Sequence, residues 1–329
     1  MKIGKVPENV LERSVFKQLH TKRSEVLLGA GVGEDCAAVK LEEDEIFVLS
    51  TDPITGTAKD IGKLAIQITV NDLASSGAEP IGVLLTILLP PEAKESHLKK
   101  IMNQMEEACA MAKVQIMGGH TEVTPVVNQP VVTVCGVGKV KEGKLVLSSG
   151  ARPGMDIVVT KWVGIEGTSI IAKEKEEELK TRFSASFIDK AKELDVYLSV
   201  LSEAAVAVNS GVSAMHDITE GGIFGALWEM AEASGIGLDI DVKKIPIRQE
   251  TIEICEFYGI NPYRLISSGS MLMATEDGNK MVRELEKVGI NAVVIGKATE
   301  GKDRMIRKDE EEHSFLERPK TDELYQVLT

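Results

Sequence analysis

The sequence predicts a two-domain protein: an N-terminal α/β domain over residues 1–150 and a second, mixed domain over residues 151–329. Three observations carry this. The chain has 329 residues, enough for about two domains with sizeable cores. Strand-like and helix-like patterns alternate through its first 140 or so residues. A stretch dense in small residues, Gly and Pro then follows, Ser148-Ser149-Gly150-Ala151-Arg152-Pro153-Gly154, and marks a linker.

In chain order, Leu11 to Leu19 is expected to form a short helix, ended by the polar Thr21-Lys22-Arg23-Ser24. Ala37 to Val39 and Ile46 to Leu49 are extended runs around an acidic turn, Glu42-Glu43-Asp44-Glu45. Gly62 to Ser75 is a helix, and Ile81 to Leu89 a buried strand. The clearest helix lies between Pro91 and Val114, where Leu98, Ile101, Met102, Met105, Cys109 and Ala112 recur on one face of a 3.6-residue period. Its methionines read as core filling. Val114 to Met117 and Pro130 to Val137 are strands. Past the linker, Asp156 to Val163 is a strand and Gly167 to Lys180 a helix with a solvated charged end. Ser186 to Asn209 is helical, and Ile223 to Ser234 is a helix closed by Gly235 and Gly237. Strands at Met271 to Ala274 and Ala292 to Gly296 flank a helix near Lys280 to Val288. The charge-dense Arg307 to His313 is expected at an exposed edge or loop.

Composition is that of a globular protein, 43% hydrophobic and 27% charged. With 38 Lys+Arg against 51 Asp+Glu, the net charge is −13. Such a surface repels a phosphate backbone, and no basic patch offsets it, so nucleic acid is not an expected partner. A polyphosphate would need carboxylates that hold a cation. Cys36, Cys109, Cys135 and Cys255 form no C-x-x-C pair and fit no zinc spacing, so they read as buried hydrophobes in a reducing compartment. The longest apolar run, Val83 to Leu89, is stopped by Pro90-Pro91, far short of a membrane span. A soluble cytoplasmic protein is expected.

Two glycine motifs fail on inspection. Gly29-Ala30-Gly31-Val32-Gly33-Glu34 puts Glu34 at the third glycine of a dinucleotide fingerprint and leads into a strand-like run rather than a helix. Gly138 to Lys144 has Walker A spacing, but Leu145 replaces the required hydroxyl residue. The informative features are acidic residues beside small residues at element ends. They are Asp35 in Gly33-Glu34-Asp35-Cys36, Asp52 in Leu49-Ser50-Thr51-Asp52-Pro53, and Asp72 in Val70-Asn71-Asp72-Leu73. A fourth site, Met117-Gly118-Gly119-His120-Thr121-Glu122, directly follows a strand. Each carboxylate alone could simply be a cap or turn former. Together, hard oxygen ligands and glycine backbone N–H groups are the components of a metal–triphosphate pocket.

As an ordered set, Gly33-Glu34-Asp35-Cys36-Ala37-Ala38-Val39, Thr51-Asp52, Gly62-Lys63-Leu64-Ala65, Asn71-Asp72-Leu73-Ala74-Ser75-Ser76-Gly77-Ala78-Glu79-Pro80 and Gly118-Gly119-His120-Thr121 resemble the PurM-like (aminoimidazole ribonucleotide synthetase-related) superfamily. The resemblance continues through Gly164-Ile165-Glu166-Gly167-Thr168 and His216-Asp217-Ile218-Thr219-Glu220-Gly221-Gly222, and so covers nearly the whole chain. It is most similar to HypE-like hydrogenase maturation proteins. This implies an α/β plus α+β fold, in which the N-terminal sheet pairs with its twin as a dimeric β-barrel and the C-terminal α+β domain covers a cleft. It also implies ATP and Mg2+ bound without a P-loop. Asp35, Asp52 and Asp72 would hold the metal, while Thr51, Lys63, Asn71, Gly118, Gly119 and Thr121 line the nucleotide. Family reactions use ATP to place a phosphate on an oxygen or selenium atom.

Three functions follow from the resemblance. The leading one is an ATP-dependent enzyme phosphorylating an oxygen of a small or protein-borne acceptor, such as an amide or a group on a protein thiol. The second is a nucleotide-binding maturation partner without its own turnover. The third is a thiamine-monophosphate or selenophosphate-type kinase, disfavoured because the N-terminal Cys-Gly-Lys loop of the selenophosphate type is absent. Two departures stand out. His120 replaces the carboxylate common in HypE-like members, and a neutral imidazole is a poor magnesium ligand, so it is read as a donor to phosphate. Glu220 stands where Arg is usual and would repel a phosphate. In the second domain, Gly221-Gly222 open a helix whose N-terminus is a ready anion site, or one merely capped by Asp217 or Thr219. His216 and Asp217 are the candidate catalytic residues, His216 being either a base or a packed residue.

The resemblance further implies that a dehydratase of this type carries its substrate on a cysteine at the extreme C-terminus. The present sequence ends Gln326-Val327-Leu328-Thr329, and its last cysteine is Cys255. A hydroxyl lacks the thiolate's nucleophilicity near neutral pH. No carbamoyl or cyano adduct is therefore expected on this chain after incubation with ATP and a carbamoyltransferase. Intact-mass spectrometry checks this, and a cyanation-sized increase on any cysteine would refute it.

Overall fold

The computed structural model describes residues 4–5, 8–30, 37–54, 59–309 and 312–328. The chain divides into two compact units, Met1–Ala74 with Ala78–Leu145, and Ser75–Gly77 with Val146–Thr329. In the first, β1 (Gly4–Lys5), α1 (Glu8–Ser14), β2 (Val26–Leu28), β3 (Ala38–Val39) and β4 (Glu45–Ile54) come first. They are followed by α2 (Ile61–Ser75), β5 (Glu79–Leu89), α3 (Glu95–Ala112), β6 (Gln115–Val123) and β7 (Val131–Lys141). Five strands form one sheet in the order β1-β6-β5-β7-β4. Only β5 and β6 run parallel, as the crossover through α3 requires.

The period of two then sorts the side chains. On β5, Val83, Leu85, Ile87 and Leu89 are buried, as are Leu73 of α2 and Leu98, Met102 and Met105 of α3. Gly136 of β7 lets α2 lie close on this face, since a Cβ there would stand 2.5 Å from Thr69 Cγ2 and 3.0 Å from Leu73 Cδ1. The intervening positions face the other way. There Leu84, Phe47 and Leu49 are 36%, 48% and 65% exposed, so this face of the sheet is uncovered in the single chain.

The second unit contains β8 (Asp156–Thr160), α4 (Ile165–Glu174), α5 (Glu176–Leu179), α6 (Ala185–Lys192), α7 (Leu201–Asn209), β9 (Ala214–Asp217) and α8 (Gly222–Ser234). Next come β10 (Gly237–Asp241), α9 (Gln249–Tyr258), β11 (Met271–Thr275), α10 (Gly278–Glu286), β12 (Ala292–Thr299), β13 (Arg304–Arg307), β14 (His313–Phe315) and α11 (Leu324–Leu328). Its seven-stranded sheet has the order β14-β13-β10-β12-β8-β11-β9. Ile157, Val159, Leu227, Met230, Leu238, Ile240, Leu272 and Ile295 belong to its core. Among the described residues, no helix is long and apolar enough to cross a membrane.

Several elements differ from expectation for local reasons. The helix expected at Leu11–Leu19 ends at Ser14, and a 3-10 turn at Phe16–Gln18 follows. The glycine-rich stretch Gly118–Val123 lies inside β6, because β5 pairs along its whole length, with β1 joining at Glu122 and Val123, and this overrides glycine's poor strand propensity. The single helix expected over Ser186–Asn209 is three pieces, α6, a 3-10 turn at Glu193–Tyr197, and α7. The break is where the carbonyls of Tyr197 and Ser199 accept hydrogen bonds from Lys161 Nζ at 2.9 and 2.6 Å.

Lys161 itself sits at φ 52, in the left-handed region. Its buried ammonium also pairs with Glu203 at 2.5 Å, and burial pulls its pKa down. Three acceptors thus stabilise one strained, desolvated residue. Lys161→Met is expected to cost about 3–5 kcal/mol by leaving Glu203 buried without its cation. Denaturant unfolding checks this, and a loss below about 1 kcal/mol would show the pair to be dispensable.

Candidate functional site

The expected acidic site is partly assembled in the first unit. Alternation along β4 turns Ser50 and Asp52 toward α2, and Phe47, Leu49 and Thr51 toward the uncovered face. From the last turns of α2, Asp72 meets them. Ser50 Oγ donates to Asp72 Oδ2 at 2.5 Å and lies 3.5 Å from Asp52 Oδ2. One hydroxyl therefore joins two carboxylates that are twenty residues apart in sequence. Asn71 is buried beside Asp72. Asp35, the third expected ligand, lies outside the described residues. Among the described residues, no three His, Cys, Asp or Glu side chains gather into a metal cluster. Two carboxylates with a hydroxyl between them nevertheless suit Mg2+, which joins one or two carboxylates to phosphate oxygens.

The other nucleotide candidates are placed apart from the space between these carboxylates. Thr51 projects from the opposite face of β4 from Asp52. Lys63 stands nine residues before Asp72 on α2, roughly 14 Å along the helix axis. Gly118, Gly119, His120 and Thr121 are on β6. Asp52 faces Val134, which faces Leu85, which faces Gly119. Asp52 and Gly119 thus lie in one row across the sheet, three strand spacings and roughly 14 Å apart. A single metal ion cannot touch both. Gly119 has φ 149, and a Cβ there would stand 2.1 Å from Leu85 O, so glycine at this point lets the β5 backbone approach closely. His120 lies on the uncovered face, its Nε2 3.1 Å from Glu122 Oε2, while Thr121 is buried on the other.

In the second unit, His216 and Asp217 are adjacent on β9 and so point to opposite faces of its sheet. His216 Nε2 lies 2.9 Å from Glu229 Oε2, and its Nδ1 3.3 Å from Ser148 Oγ. Both ring nitrogens are engaged within the chain. The head of α8 does bind an anion, and the anion is internal. Asp322 Oδ2 accepts from Gly221 N–H at 2.7 Å, while Oδ1 accepts from Leu324 N–H at 2.8 Å and Ile266 N–H at 3.2 Å. Glu220 accepts from Tyr325 Oη at 2.7 Å. Close by, buried Glu166 accepts from Ser268 N–H at 3.1 Å. Burial first, then the charges of Asp322 and Glu220, push its carboxyl up to about 7. Burial likewise raises the Cys109 thiol, and lifts that of Cys255 to about 12, so neither is a nucleophile near neutrality.

Ser50, Glu166 and Asp322 were missed by sequence reasoning. Ser50 was reachable, since it stands two residues before Asp52 and must share its face of the strand. Glu166, an acid among Gly164, Ile165 and Gly167, carried a weaker signal of burial. Nothing local marks Asp322, for two of its three amide partners, Gly221 and Ile266, are more than fifty residues away.

Comparison with known proteins identifies the class. The model of the AIR synthase related protein N-terminal domain matches residues 33–140, and that of its C-terminal domain matches 152–308. A protein of Methanocaldococcus jannaschii named "Putative hydrogenase expression/formation protein" is 30% identical over 305 residues, covering 90% of this chain and 88% of the relative. The carbamoyl dehydratase HypE of Cupriavidus necator is 30% identical over 275 residues, 78% of this chain and 76% of that protein. The chain belongs to the AIR synthase-related, PurM-like family, and within it is similar to HypE hydrogenase maturation proteins. Solved structures share the fold. A HypE in complex with ATP superposes with TM-score 0.82 at 19% identity, over 98% of this chain and 97% of the other. HypE from a HypE–HypF complex does so with TM-score 0.71 at 24% identity, over 83% and 90%.

Proposed function

We propose that this protein is an ATP- and Mg2+-dependent enzyme of the HypE type that transfers the γ-phosphoryl group to an oxygen of a small or protein-borne acceptor. The observation that carries the reading is the Ser50-bridged pair Asp52–Asp72, the oxygen-donor set that a magnesium–phosphate ligand requires. It gains support from the names of the relatives, a carbamoyl dehydratase among them, and from the ATP-bound HypE structure.

The proposed roles are those the resemblance implies. Asp52 and Asp72, with Asp35, hold the ion, and Ser50 fixes the angle between the two carboxylates. When bound, the ion supplies positive charge to the phosphate oxygens on a chain of net charge −13. Gly118, Gly119 and the Thr121 hydroxyl bind the nucleotide, as do Thr51, Lys63 and Asn71. His120 donates to a phosphate oxygen. In the transfer, the acceptor oxygen gains the phosphoryl group as the bond to ADP breaks, and a carbonyl-type oxygen thereby becomes a leaving group. His216 and Asp217 act on the acceptor side. The roughly 14 Å between Asp52 and Gly119 implies contact with different parts of an extended nucleotide. Calorimetry with ATP and Mg2+ tests the reading. Asp72→Ala is expected to weaken binding at least tenfold while the fold survives, and equal affinity would refute it.

The uncovered sheet face, with Phe47, Leu49 and Leu84 exposed, supports a homodimer in which two such sheets pair as a β-barrel. The protein is expected to be dimeric at micromolar concentration by light scattering, and Leu49→Glu to shift it toward monomer. A wild-type monomer would refute this.

A further inference from the structure

The second unit closes with a strap, residues 316–328, that crosses the head of α8 and lays α11 on α4. Leu324 and Val327 of the strap are buried. Glu317 pairs with Arg264 at 3.1 Å and with Lys320 at 2.9 Å. Beyond those cations the contacts become acidic. Asp322 enters the backbone amides of Gly221, Ile266 and Leu324. Two residues along the same loop, Ser268 N–H holds Glu166 of α4. Glu220, from the turn before α8, acts electrostatically on both, and is reached by Tyr325 of α11. Three carboxylates from three separate elements therefore meet where the strap docks.

We infer that the strap is a proton-gated cap: uptake of one proton by the Glu166 carboxyl lets Asp322 seat on the head of α8, and loss of that proton to solvent lifts the strap and frees the Gly221 and Ile266 N–H groups. No covalent bond changes. The inference does not rest on the nucleotide reading, since every group involved lies in the second unit.

The groups facing Glu166 bear this out. Strap and turn present Asp322, Glu220 and Tyr325, and no cation is among the charges acting on Glu166. The Tyr325 hydroxyl, raised to about 12 chiefly by its bond to Glu220, stays protonated and neutral throughout. Glu323 of the strap faces Cys255 of α9, itself neutral. Arg264, from the loop before Ser268, is held by Glu317, and Lys320 by the same carboxylate. Among the described residues, the charges that act on Glu166 are thus the acids Asp322 and Glu220. Asp322 is raised as well, burial outweighing its three amide bonds.

The sign is fixed by linkage. Seated, Glu166 binds its proton up to about pH 7. Lifted into water, a glutamate releases it in the ordinary carboxyl range near 4.3. Docking is therefore strongest below that range, weakens as pH rises toward 7, and changes little above it.

The test is proteolysis of the full chain by proteinase K between pH 5.5 and 7.5. Cleavage within residues 317–323 is read by mass spectrometry and normalised to a synthetic peptide of residues 312–328 in the same tube. When reclosing outpaces cleavage, the rate follows the lifted fraction. It is expected to rise about twentyfold across this range and level off above pH 7. Glu166→Gln, neutral at every pH, is expected to keep the strap protected and flatten the profile. A flat wild-type profile, or the same rise in Glu166→Gln, overturns the inference. Should Glu166→Gln fail to fold, Glu220→Gln serves instead. Removing that negative neighbour is expected to move the wild-type midpoint to lower pH, and an unmoved midpoint overturns the inference equally.

Discussion

The first unit depends on the ten-residue register between β4 and β7, in which Ser50 faces Gly136 and Asp52 faces Val134. A strand shows alternate residues to alternate faces, so this pairing decides which side chains meet α2. A slip by one residue would turn Ser50 and Asp52 outward and drive Leu49 and Thr51 against the helix. Gly136 is part of the same constraint. It removes a side chain where α2 crosses, and that close approach brings Asp72 to Ser50. The acidic site and the uncovered apolar face are thus two consequences of one register.

Surroundings, rather than residue type, set the behaviour of the acids. On the first unit Arg23 bonds both Glu25 and Glu79, and Lys139 sits between Glu25 and Glu45 at 3.1 Å from each. The Arg23 guanidinium holds the Glu25 carboxyl far below the usual range. Glu166 moves the opposite way, being buried with acids for neighbours. A net charge of −13 is therefore unevenly distributed in its effects. Cations tie down the strands at Glu25, whereas among the described residues the charges acting on Glu166 are acids, which makes the second unit responsive to protons.

Local signals in the sequence reached as far as local forces do. The amphipathic period of α3 and the apolar run of β5 were legible because burial on one face dictates them. Gly118 and Gly119 were seen as a backbone site, but their place within a strand was not. A glycine's poor propensity there is offset by pairing with β5, a neighbour some thirty residues earlier in the chain. Asp52 and Asp72 were singled out by their settings at element ends. That they meet through Ser50 required the fold. Strands β10 and β13, parallel partners far apart in the chain, and α11 carried too little periodicity of their own to be read.

The acid at position 220 illustrates how a local mismatch acquires meaning from its surroundings. Where the resemblance implies a cation able to meet phosphate, this chain has a carboxylate, and an acid at the head of a helix bound to an external anion would be repulsive. In the structure the anion at that helix is Asp322, a residue of the same chain. Glu220 contributes to holding it, through Tyr325 on the next turn of the strap. The like charges are tolerable there only because a proton on Glu166 lowers the total, and because three backbone amides share the Asp322 charge. Replacing the family's cation by Glu220 therefore makes sense as one part of an exchange whose other parts are Glu166, Asp322 and Tyr325. A shared fold fixes where such groups stand, and the groups themselves decide whether the site greets a substrate or a segment of its own chain.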